Sequence, residues 1–194
     1  MKDKHTVPDF PARNQSGEEK NQPRVKVVGL EDAFGNVSHV DMDDPVWVDI
    51  ARGLNTVMDS EIYQAPKGIE MLRQAAETHG GDAMVNSLLA HLGEKDDPAF
   101  KLYWFACSGI REAIPALRGY LESNDDDVRW SAACGLAHLG EQAGFGAIEA
   151  VLDGSANSID PRHRRSWYEE LAEIDDDRAR ELLEKYRDRD GSGG

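Results

Sequence analysis

The string AHLGE occurs at Ala90–Glu94 and again at Ala137–Glu141, and each copy sets a histidine three residues before a glutamate. An imidazole and a carboxylate at a repeated spacing could hold a metal ion, or act as a base with its orienting acid. Helical geometry weighs against both. The glycine between them ends the helix, so the two side chains straddle a terminus and share no face. On their own helices His138 lies about 100 degrees and His91 about 90 degrees from the centre of the apolar stripe, which makes both flank residues. Neither His5, His39, His79, His91, His138 nor His163 is followed by Glu, and no His-x-x-x-His or Cys-x-x-Cys spacing exists. No metal and no cofactor is expected, and the two histidines read as favourable charges near helix C-termini.

Other chemistry is equally thin. Gly140, Gly144 and Gly146 sit in a turn between two helices, without the strand that a phosphate-binding loop needs. Cys107 and Cys134 fall inside helical segments and read as small core residues. No nucleophile elbow or dinucleotide fingerprint surrounds the Ser, His and acid residues, so the chain is expected not to be an enzyme.

Carboxylates carry the remaining signal. Acid clusters open the helices at 41–44, 95–98, 124–127 and 175–177, where capping and the positive helix end explain them. The cluster Asp125, Asp126 and Asp127 stands beside Trp130, which projects about 180 degrees from its helix's apolar stripe and is a candidate hot spot for a partner. Contact with the N-terminal residues is the alternative for that ring. On the second helices of the later pairs, Glu112, Glu122, Glu149, Asp153, Glu181 and Glu184 lie opposite the apolar stripes, where a groove built from these faces would be acidic.

Composition agrees with that bias. The 194 residues carry a formal charge of −15, and residues 1–40 are balanced, so the excess acid lies in the later, patterned part. Such a surface repels nucleic acid and anionic membranes and steers a basic protein toward itself. No stretch approaches the roughly 18 apolar residues of a membrane span, and the start MKDKHTVPDF has no apolar run. A cytoplasmic protein is expected.

The elements that must position these residues repeat. Residues 1–24, with Pro8, Pro11 and Pro23, read as a disordered leader, 25–40 as a small β-hairpin, and 189–194 as a disordered tail. Between them, helix starts near 66, 97, 126 and 160 are spaced by 31, 29 and 34 residues, the mark of stacked helical hairpins. In DDVRWSAACGLAHLG, Val128, Ala132, Gly135, Leu136 and Leu139 share one stripe and Gly140 stops the helix. Its partner buries Phe145, Ile148, Val151 and Leu152, and the preceding unit presents Ile114, Leu117 and Leu121.

VRWSAACGLAHLG with GAIEAVL, and EAIPALRGYL one unit earlier, resemble the short HEAT-like repeats first associated with phycobilisome lyases. The resemblance covers residues 66–188 and is closest at 126–152. It implies an all-α fold over 41–188, a right-handed superhelix of antiparallel helix pairs with the second helices lining a concave face. It implies no reaction, because such repeats serve many functions. A HEAT-like metal hydroxylase would need adjacent His-Glu pairs, which are absent. The leading expectation is therefore a non-enzymatic module binding a basic protein through an acidic concave face, such as an immunity protein against a toxin, or an adaptor. The alternative is a bilin lyase or chromophore chaperone.

Overall fold

The computed structural model describes residues 43–58, 65–92, 96–155 and 164–191, with side chains in the last stretch from 167 to 186. The expected leader and β-hairpin, residues 1–40, lie outside the described residues. Asp-Pro pairs and acid clusters start the helices as their chemistry demands. Asp44 accepts hydrogen bonds from the Val46 and Trp47 amides and opens α1, Pro45–Met58. Asp97 accepts from Phe100 N and opens α4, Pro98–Cys107, while Asp125 accepts from Asp127 N and Val128 N and opens α6, Asp126–His138. Asp176 accepts from Arg178 N at the start of α9, Asp177–Gly191. Each such cap satisfies backbone donors that the helix itself cannot.

Between them run α2, Ala65–His79, and α3, Gly81–His91, joined through Gly80 at φ 84°. A 3-10 turn, Arg111–Ala113, leads into α5, Ile114–Tyr120, then α7, Gln142–Leu152, and α8, Arg164–Glu173. The described residues are all helical apart from turns, and among them no helix is long and apolar enough to cross a membrane. Helix α9 runs to Gly191, beyond the expected domain end at 188.

Packing follows chain order from α4 onward. Helix α4 lies on α6, α6 pairs with α7, α8 with α9, and α7 touches α9. A hairpin starting near 66 would pair α2 with α3, but α2 packs mainly on α1 and only secondarily on α3. Glycine explains this. A Cβ on Gly68 would sit 2.6 Å from Val57 N and 2.8 Å from Gly53 O, so only glycine lets the α1 and α2 backbones approach this closely.

Helix α6 is covered on two sides. Ala132, Leu136 and Leu139 join a core with Leu54, Leu72, Leu88, Phe105 and Leu117, while Ala133, Cys134 and Ala137 join a second with Phe145, Ile148, Trp167, Leu171 and Leu182. Small residues are what such a helix needs, since each neighbour must come close. The single apolar stripe read from the sequence is the first of these two faces.

Candidate functional site

The structure divides the acidic residues into those held internally and those left to solvent. Glu149 on α7 accepts from Arg178 Nη2 at 2.8 Å and Lys185 Nζ at 2.7 Å, both on α9. The Lys185 hydrogen bond, opposed by partial burial and helped by the charges of Lys185 and Arg178, lowers its carboxyl below the ordinary range. Arg178 also donates to Glu181 at 3.1 Å, so Glu149 and Glu181 meet on one guanidinium. Glu141, ahead of α7, takes Arg111 at 3.2 Å and Arg118 in a second ion pair. Asp126 pairs with Arg129, Asp125 is spent on its cap, and Asp153 accepts from Ser155 N.

Glu112 lies apart from that group, its carboxylate against Gly81 at the start of α3. There the positive helix end favours a negative charge. Glu122, Asp127 and Glu184 are exposed and form no ion pair among the described residues. The second-helix surface is therefore not uniformly acidic. The carboxylates were legible in the sequence, but the basic residues answering them, Arg111, Arg118, Arg178 and Lys185, come from neighbouring elements and were missed.

Trp130 is the other revision. Its ring is half-buried, with its centroid 6.2 Å from Tyr103 and 6.0 Å from Trp167, between α4 and α8. A residue opposite one apolar stripe is exposed only when the helix has one buried face, and α6 has two. Among the described residues Trp130 packs on the rings of Tyr103 and Trp167, with part of its surface left open.

That aromatic seam encloses a polar cluster. His138 Nε2 donates to Glu170 Oε1 at 2.7 Å, with the two side chains only 16% and 10% exposed. The Tyr103 ring meets the His138 ring edge-on at 5.7 Å. Burial alone would strip His138 of its proton. Hydrogen bonds to Cys107 and Glu170, with their Coulombic attraction, overcome that and push it up to about 10. Burial first, then the proximity of Cys107 and Glu170, pushes the Tyr103 hydroxyl well above its usual range, and burial does the same to the Cys134 thiol. A histidine charged at neutral pH cannot accept a proton as a base. It can donate one.

The two AHLGE strings thus end in unlike places. His91 stacks on Trp47 at 4.8 Å and donates from Nδ1 to Ser87 O at 2.8 Å, far along the chain from the His138 cluster. Glu94 lies outside the described residues. Among the described residues no three His, Cys, Asp or Glu side chains converge as metal ligands. An open groove of about 250 Å³ between α1 and α2 is lined by Asp49, Arg52, Met71, Gln74, Ala75 and Thr78. It falls below the roughly 300–1,000 Å³ of small-molecule pockets.

No family pattern matches this chain, and neither a curated protein nor a solved structure shows significant similarity to it.

Proposed function

We propose that the chain is a non-enzymatic interaction module, a HEAT-like pile of helical hairpins that binds a basic protein through carboxylates its own fold leaves unpaired. The observation that carries this reading is the division of the acids. Among the described residues Glu141 and Glu149 each hold two cations, whereas Glu122, Asp127 and Glu184 face solvent without one. Neutralising such charges across an interface speeds encounter and discriminates against acidic partners, including nucleic acid. The resemblance to HEAT-like repeats supplies the right-handed superhelix. An immunity protein facing a basic toxin, and an adaptor, are its two forms.

A bilin chaperone has less support. Its chromophore needs exposed rings, and Tyr103, Trp130 and Trp167 are packed against one another. The reading is tested by the salt dependence of affinity for the basic protein captured on the immobilised chain. Raising salt from about 50 to about 500 mM is expected to weaken binding at least about tenfold, because exposed charges are screened beyond a Debye length. A salt-independent affinity contradicts it.

A further inference from the structure

Phe100 and Trp104 stand one turn apart on α4 with ring centroids 6.1 Å from each other, and Tyr103 continues the row, 4.9 Å from Trp104 and 6.2 Å from Trp130 on α6. Tyr103 is buried, but Phe100, Trp104 and Trp130 each keep part of their surface open. Large rings left half-covered in one contiguous row form an apolar surface of the kind that another segment of chain covers. One turn before Trp130 stands Asp127, exposed and without an ion pair among the described residues. The interaction reading uses that carboxylate but not the rings.

We infer that the chain's own residues 24–30 dock on this row. They lie outside the described residues and read Arg-Val-Lys-Val-Val-Gly-Leu. Four aliphatic side chains suit the rings, and two cations with no acid suit Asp127. No other seven-residue run ahead of α1 combines these features. Fourteen residues, 31–44, join Leu30 to Pro45 at the start of α1, and extended at ~3.3 Å each they span about 45 Å. Helix α1 touches α4, and α4 lies on α6. Two helix spacings of about 8–10 Å therefore separate α1 from Trp130, and the length of α4 adds about 15 Å. The tether crosses that distance with slack. It is also short enough to hold the segment at an effective concentration on the order of millimolar, which favours it over a second copy of the chain at micromolar concentration. Once docked, the segment withholds Asp127 from a basic partner. That competition rests on the interaction reading, whereas the docking does not.

Hydrogen exchange of the full-length chain, followed by mass spectrometry, tests the docking. Amides of residues 25–30 are expected to exchange at least about tenfold slower than in a synthetic peptide of residues 20–34. Trp130→Ala and, separately, Asp127→Lys each speed that exchange at least about threefold while the amides of α6 and α7 stay protected. Diluting the wild type about tenfold changes nothing, because docking within one chain does not depend on concentration. Exchange at the peptide rate overturns the proposal. So does protection that falls on dilution, which points to a second copy, and protection that survives in either folded variant, which points to another surface. If Trp130→Ala fails to fold, Asp127→Lys decides alone, since that side chain lies in solvent.

Discussion

Gly144→Ala is expected to destabilise the protein by about 3 kcal/mol, whereas Gly146→Ala, two residues along the same helix, stabilises it by up to about 1 kcal/mol. A Cβ at Gly144 would stand 2.5 Å from Ala137 N and 2.6 Å from Ala133 O, both backbone atoms of α6 that cannot swing aside. The α6–α7 pair would have to open. At Gly146 a Cβ meets nothing within 4 Å, so only the gain in helix propensity remains. Thermal unfolding followed by circular dichroism should place the Gly144→Ala midpoint roughly 6–12 °C below wild type. Equal midpoints for the two variants would contradict the close crossing of α6 and α7.

Glu170→Gln is expected to cost about 3 kcal/mol at neutral pH, since it leaves the buried His138 imidazolium without its carboxylate. The pH dependence carries a definite sign. His138 moves from 6.5 in the unfolded chain to about 10 in the fold, so the folded state holds its proton more tightly. That contribution is complete below pH 6.5, shrinks as pH rises, and is gone above about pH 10. Cys134 and Tyr103, whose ionisation the fold also opposes, add to the loss only near and above their ordinary values of 9.0 and 10.0. Between about pH 7 and about pH 8.5 the decline therefore belongs to His138, each pKa unit being worth ~1.4 kcal/mol. Wild type should lose stability across that interval while His138→Gln stays nearly level. Parallel slopes would sink the assignment.

Local rules made the helices legible in the sequence. Asp44, Asp97 and Asp125 sit where a cap was expected and accept the amide hydrogen bonds that a cap must accept. Gly140 ends α6 at φ 72°, a conformation that residues with a Cβ avoid. Relations between helices were harder to read. A helical wheel assumes one buried face, and α6 has two, so Trp130 was set in solvent and His138 on a flank. The repeat itself held the missing signal. Cys107, His138 and Glu170 are separated by 31 and 32 residues, so the period that located the hairpins also stacks these three positions. The ion pairs of Glu149 were illegible for another reason. They depend on how α9 lies across α7, which no periodicity within either helix encodes.

The central claim is that internal and external carboxylates do different work, and partner affinity measured beside stability tests it most directly. Glu122→Lys with Asp127→Lys and Glu184→Lys is expected to weaken binding of the captured basic protein at least about tenfold, a loss of ~1.4 kcal/mol, while the melting midpoint falls by no more than about 4 °C, the share of Asp127 at the positive end of α6. Glu149→Gln, which removes the acceptor of Arg178 and Lys185, should lower the midpoint and leave the affinity near wild type. Wild-type affinity in the triple variant, or binding abolished in a folded Glu149→Gln protein, would contradict the account.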